Sequence, residues 1–270
     1  MFLRQKKIQL LALVLSCAVF SCSQLTEVIP LTVDKKLGET VTEQVRSSPD
    51  FKILDSLKYA PVYNYLEEVR DNILASDDIK YKEEFSYKVT IINDANTLNA
   101  FVTPGGQIYV YTGLIKFLDQ ESELAGVLAH EIAHAENRHS VKQMAKQVGT
   151  SFLISLVLDG DYSQLLNMGA KMLFLKFSRR DEKEADEYAV QYLNDTEYDP
   201  RGVAGFFQKM IKEEKDVRIP AFLSTHPASQ DRIENILQKW KELGSKEGEK
   251  GIQRHKRIVS FLNNQEVSLQ

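Results

Sequence analysis

Cysteine is nearly absent from this chain: there are two in 270 residues, Cys17 and Cys22, and none beyond them. Everything after residue 22 must hold its fold without a disulfide, which a chain of this length can do because its core is large enough. A basic excess is missing too. Lysine and arginine number 34 against 38 acidic residues, for a formal net charge of −4, and with no basic stripe there is no footing for a nucleic-acid partner. Past the first twenty residues long apolar runs are missing: within the apolar-rich stretch 149–177, the run Phe152 to Leu158 is far too short to cross a bilayer. Histidine is scarce, with five copies. What remains is an ordinary globular composition, 43% apolar and 27% charged.

The first residues carry an address. Arg4, Lys6 and Lys7 form a positive start, and Ile8 to Phe20 is an apolar core of the length a secretory signal needs. Both cysteines lie at its end. This resembles a bacterial lipoprotein signal, in which cleavage falls just before a cysteine that then carries lipid. Val19-Phe20-Ser21-Cys22 is the preferred box, with Cys22 as the attachment site, and Val14-Leu15-Ser16-Cys17 is the alternative. The expectation is a signal over 1–21, then a polar tether over 22–49 with one short helix between Asp34 and Arg46. The resemblance implies a cell-envelope protein held through its lipid to a membrane, with the outer membrane as the expected one, and facing the periplasm.

The densest chemistry is Ala129-His130-Glu131-Ile132-Ala133-His134. Good helix formers flank it, so His130 and His134, four apart, project from one helix face and can reach one metal ion. Glu131 is too close to the first histidine to join them on the ion, but it is well placed as a general base on a water molecule. Two ligands plus a base make the zinc-hydrolase pattern H-E-x-x-H. A third ligand must come from elsewhere. The metzincin pattern is absent, because Asn137 and Ser140 stand where it needs glycine and histidine; His139 then reads as a structural or surface residue. The charged run Ser178 to Ala189 offers carboxylates. Glu182 and Asp186 are four apart and share a face, while Glu184 points away from both. One of the pair can bind zinc while the other orients a ligand imidazole.

Around these motifs the periodicity changes twice. Phe51, Leu54 and Leu57, followed by Val62, Leu66, Val69 and Ile73, space as two helical pieces, with Pro61 opening the second. Tyr87, Val89 and Ile91 then alternate as a strand, Asn99 to Val102 is a second, and after the Pro104-Gly105-Gly106 turn Gln107 to Tyr111 returns as a third. Asn99 and Ala100 are the candidate edge at which an extended substrate pairs through its backbone. Residues 149–177 read as a helical pair packing over the site. Val203, Phe206, Phe207 and Met210 give a further helix, and Ala228 to Leu243 an amphipathic one. Gly244 to Gly251 reads as a charged, flexible break that opens a C-terminal tail over 244–270. The fold class is α+β, mainly helical, with a small sheet just before the H-E-x-x-H helix.

Residues 129–139 together with Glu182-Lys183-Glu184-Ala185-Asp186 resemble the gluzincin metallopeptidases that include the type I CAAX prenyl protease, HtpX and the mitochondrial Oma protease, which pair H-E-x-x-H with E-x-x-A-D. The resemblance runs from about residue 51 to 243. It implies a zincin-like domain over 50–243 and one zinc ion on His130, His134 and Glu182, with Asp186 supporting a histidine. The loop Ser224-Thr225-His226-Pro227, followed by Arg232, matches the family's His-Pro segment and implies that His226 approaches the zinc-bound water or the developing oxyanion while Arg232 helps order the region. No transmembrane helix follows the signal, which is similar to the BepA and LoiP branch of outer-membrane quality-control proteases. The implied activity is endopeptidase cleavage of misfolded or unassembled envelope polypeptides, with outer-membrane assembly machinery as a partner. The competing expectation is a periplasmic chaperone or binding protein with a latent zinc site.

Overall fold

The computed structural model describes residues 28–159, 162–172, 175–213, 221–227 and 229–267. Cys17 and Cys22, with the signal itself, lie outside these residues. Among the described residues the order is α1 (Leu31–Ser47), α2 (Ala60–Leu74), β1 (Val89–Ile92), β2 (Ala100–Val102), β3 (Ile108–Tyr111) and α3 (Thr112–Phe117). Then come α4 (Glu121–Glu136), α5 (His139–Val148), α6 (Thr150–Asp159), α7 (Tyr162–Met172) and α8 (Arg179–Asn194). The chain closes with α9 (Gly202–Glu213), α10 (Ala221–Thr225), α11 (Gln230–Glu242) and α12 (Ile252–Val267). It is an α+β fold, mainly helical, with one three-stranded sheet.

α4 is the axis. Every one of its 16 residues is buried, which leaves it no solvent face and makes each polar side chain on it answerable to a neighbour. α8 packs on one side and α9 on another, with β2 alongside. Two glycines allow the α4–α9 approach. A Cβ on Gly126 would meet Val203 N at 2.6 Å, and one on Gly202 would collide with the Ser122 carbonyl. The backbones touch where side chains would otherwise keep helices 8–10 Å apart.

The sheet has the order β1-β3-β2, with β1 parallel to β3 and β2 antiparallel to it. β2 is therefore an edge. Tyr111 N–H donates to Asn99 O at 3.1 Å and Thr103 N–H to Gln107 O at 2.9 Å. Odd-numbered residues of β2 thus face β3, and Ala100 and Val102 turn their backbone groups off the free edge.

The first of the two helical pieces expected after residue 50 is not a helix. Residues 51–54 run extended along β1, with Leu54 N–H donating to Ile91 O at 2.9 Å and Asn93 N–H to Lys52 O at 2.6 Å. Asp55 Oδ1 then accepts from the backbone N–H of Leu57 and Lys58, and this turn delivers the chain into α2. Leu57, counted in the helical period, is 89% exposed. Spacing of three mimicked a helix here, but pairing with the open side of β1 satisfied the backbone instead. Pro61 does stand in the first turn of α2.

Where a tether with a short helix was expected, α1 runs 17 residues and buries Val33, Leu37, Val41 and Val45. Its partners are α6 and α7, the helical pair of the apolar-rich stretch, through Leu153, Leu156, Leu165 and Met168. The expected break at 244–251 is tied down: Trp240 Nε1–H donates to Lys246 O at 2.7 Å, and Glu249 bridges to Tyr198. α12 docks as well, burying His255 and Leu262 against the core.

Candidate metal centre

His130 and His134 stand on successive turns of α4 with their Nε2 atoms 3.0 Å apart. α8 crosses them. It starts at Arg179 because Ser178 and Asp181 form a capping box, and this sets Glu182 in its first turn, over the histidines. Glu182 Oε2 lies 3.5 Å from His130 Nε2, and Oε1 lies 3.6 Å from His134 Nε2. His226 follows α10, its Nδ1 2.9 Å from Glu182 Oε1 and 3.4 Å from His130 Nε2. One donor atom from each of these four buried residues lies within 4.8 Å of the others.

The donor chemistry fits a zinc ion, which takes imidazole nitrogen and carboxylate oxygen in sets of three or four. The back of each ring faces a polar neighbour, which leaves Nε2 to the cluster. His130 Nδ1 lies 3.0 Å from Asp186 Oδ1, and His134 Nδ1 lies 2.9 Å from His139 Nδ1. Phe177 stacks on His134 with ring centroids 4.2 Å apart.

Glu131 stands beside the cluster without joining it. Its Oε2 accepts from Val102 N–H at 3.1 Å, off the free edge of β2. Its Oε1 is buried, 3.7 Å from His226 Nε2, and takes no hydrogen bond among the described residues. Arg232 binds the far side. Its Nε and Nη2 donate to the two oxygens of Asp186 at 2.8 and 2.7 Å, its Nη1 is 2.8 Å from Glu182 Oε2 and donates to Pro227 O, and its guanidinium lies 4.0 Å over Phe207. One arginine therefore links both carboxylates of α8 to the His-Pro loop.

Proton affinities diverge sharply within this small volume. Burial pushes the Glu131 carboxyl up, against the pull of His226 and His130. Burial acts the same way on Glu182, but His226, His130 and His134 outweigh it and hold that carboxyl well below the usual range. Burial and the neighbouring histidines push His134 well below its ordinary value. For His130 burial is outweighed by Asp186 and Glu182, which lift it to about 9. Two carboxylates a few ångströms apart, one proton-seeking and one kept ionised, are what separate base and ligand roles require.

The residues singled out in the sequence come together: His130, Glu131, His134, Glu182, Asp186 and His226 form one cluster. His226 sits within the donor set itself. Asn99 and Ala100 lie at the edge of the sheet, with the Ala100 side chain buried. Phe177 was not singled out, although an aromatic closing an apolar stretch just before a capped helix is the available signal. His139 is fully buried against His134, so the surface reading of it does not hold.

Residues 63–240 match the profile of peptidase family M48. The mitochondrial metalloendopeptidase OMA1 of Schizosaccharomyces pombe is 33% identical over 219 residues, covering 78% of this chain and 62% of that protein. The metalloprotease LoiP of Escherichia coli is 33% identical over 168 residues, covering 60% of this chain and 65% of LoiP. The beta-barrel assembly-enhancing protease of Yersinia pestis is 28% identical over 219 residues, covering 75% of this chain and 43% of that protein. In each case the chain spans less than two thirds of the relative's length.

Proposed function

This chain belongs to peptidase family M48, a family of zinc-dependent metalloproteases, and we propose that it is an endopeptidase with Glu131 as general base. The observation that carries this is the posture of Glu131: buried, held at Oε2 by Val102 N–H, and with Oε1 turned toward His226 and the donor cluster. A structural metal site has no use for such a carboxylate. His130, His134 and Glu182 hold the ion. Zinc bound there supplies Lewis acidity, which brings the pKa of a water molecule toward about 7.

The protein's own groups do the rest. Glu131 Oε1 takes the proton from the attacking water and returns it to the leaving amine. The raised affinity of that carboxyl for a proton suits it to both tasks. The outward backbone groups of Ala100, next to Asn99 on the edge strand, pair with an extended polypeptide, and Val102 N–H on the same edge holds Glu131, so base and substrate strand share one register. His226 donates to the developing oxyanion. Asp186 fixes the His130 ring through Nδ1.

The substrates on this reading are misfolded or unassembled envelope proteins. Relatives named as a beta-barrel assembly-enhancing protease support that class and a link to outer-membrane assembly. Attachment through lipid at Cys22, with Cys17 as the alternative, belongs to the same proposal. No helix among the described residues is long and apolar enough to cross a membrane.

One observation favours a second reading, a binding protein whose zinc site is latent. His226 completes a set of four protein donors, and four protein ligands leave no open position. The test measures bound zinc and casein cleavage together, on the purified chain, Glu131→Gln and His226→Ala. Zinc near one per chain, with cleavage lost in Glu131→Gln, supports the peptidase. Zinc without cleavage in the wild type, and cleavage appearing in His226→Ala, supports the latent site. Wild-type cleavage by Glu131→Gln refutes the mechanism.

A further inference from the structure

α5 opens at His139, and the residue before it, Arg138, has φ of 54°. The chain thus turns sharply out of α4 and brings His139 back beneath the cluster. His139 is fully buried, with its ring centroid 4.9 Å from that of His134 and the two Nδ1 atoms 2.9 Å apart. Two ring nitrogens at that distance share one proton, and the ring that owns it decides what the other face of His134 can do.

With the proton on His134 Nδ1, the neutral ring keeps a lone pair on Nε2, which faces His130 Nε2 and Glu182 Oε1. With the proton on His139 Nδ1, His134 accepts at Nδ1, carries its own hydrogen on Nε2 and is lost as a metal ligand. The far side of His139 breaks this tie. Its Nε2 is buried without a hydrogen bond among the described residues, and Glu184 Oε2 lies 3.5 Å away; an ionised carboxylate that closes on it can only accept. A hydrogen on His139 Nε2 leaves its Nδ1 as acceptor, so the hydrogen between the rings must sit on His134.

We propose that Glu184 and His139 form a relay that fixes the tautomer of His134 and so readies its Nε2 for the metal. The inference rests on the reading of His134 as a zinc ligand. Both are positioning residues: neither reaches the donor cluster, and they act only through His134. The two ligand histidines are then oriented by different means. Asp186 faces His130 Nδ1 directly, whereas His134 is served through a second imidazole, with Phe177 stacked on its face to stop the ring turning away. Nearby positions of one helix thus do separate work, because Glu184 leaves α8 in a different direction from Glu182 and Asp186.

The test reads zinc affinity by chelator competition on the zinc-loaded full chain, and the ring tautomer of His134 by nitrogen-15 NMR. His139→Phe fills the volume but offers no acceptor, and is expected to weaken zinc binding about 10–100-fold. His139→Asn sets an amide oxygen where Nδ1 stood, and is expected to stay within about threefold of the wild type by restoring the same partner. In the zinc-loaded wild type the hydrogen of His134 is expected on Nδ1. His139→Phe with wild-type affinity overturns the relay, as does His139→Asn binding as weakly as His139→Phe while both keep the wild-type circular dichroism. If His139→Phe does not fold, Glu184→Ala decides, since that side chain is a third exposed: unchanged affinity refutes the proposal and weaker binding supports it. A wild-type chain that holds no zinc refutes the metal assignment itself, a failure distinct from that of the relay.

Discussion

Replacing Asp34 by alanine removes the carboxylate that holds Arg138, and the cost can be worked from the geometry. Arg138 directly precedes α5 and is 7% exposed. It donates through Nε and Nη2 to Asp34 at 3.1 and 2.6 Å, and through Nη2 to Ile29 O at 2.8 Å. Asp34 is 1% exposed in the first turn of α1. This pair therefore anchors the N-terminal helix to the end of α4, four residues past His134. An exposed ion pair would contribute about 0.2–1 kcal/mol. Breaking a buried one leaves an uncompensated charge in the interior and costs about 3–5 kcal/mol. At the lower end, about 3 kcal/mol corresponds to roughly 6–12 °C in Tm for a domain of this size. Urea unfolding followed by circular dichroism measures the difference. The double variant Asp34→Leu/Arg138→Met, which removes both charges and keeps the volume, is expected to be much closer to the wild type. Loss of less than about 1 kcal/mol in Asp34→Ala would refute the argument, because the pair would then behave as if exposed.

Gly126→Ala is expected to cost about 1–3 kcal/mol by overpacking, since its Cβ would meet the Val203 backbone at 2.6 Å and no side-chain rotation relieves that contact; unchanged urea stability would mean that α9 gives way freely. His255 accepts from Tyr65 O–H at Nδ1 and donates from Nε2 to Ile115 O, and burial pushes its pKa below the ordinary 6.5. The unfolded chain then binds the proton first, so stability is full above about pH 6.5 and declines as pH falls toward the lowered folded value. His255→Gln is expected to be less stable at neutral pH and to lose less between pH 7 and pH 5; an equal loss in both proteins would rule His255 out as the source.

Legibility followed the range of the interactions involved. His130, Glu131 and His134 could be read because a single helical turn sets their spacing, and Glu182 and Asp186 because a second helix repeats the same four-residue logic. Pro61 marked the start of α2 for an equally local reason. Residues 51–57 misled because Phe51, Leu54 and Leu57 carry a helical period, while the backbone of Lys52 and Leu54 bonds along the open side of β1 and Leu57 N–H bonds to Asp55, a competition settled only when the sheet exists. The length of α1 was hidden in a similar way. Its sequence is polar on average, and the narrow apolar stripe becomes meaningful once α6 and α7 supply a surface for Val33 and Leu37 and the sheet supplies one for Val41 and Val45.

His139 and Glu184 mark the sharpest limit, because each was judged correctly by its own local rule. Glu184 does leave α8 in a different direction from Glu182 and Asp186, and His139 does fall outside any third-ligand spacing. Joining them takes two facts that no local pattern carries: the left-handed backbone at Arg138, which reverses the chain out of α4, and the crossing of α8 over that turn. A residue pointing away from one histidine was thereby aimed at another, so that a position outside the metal-ligand pattern came to control a ligand from behind.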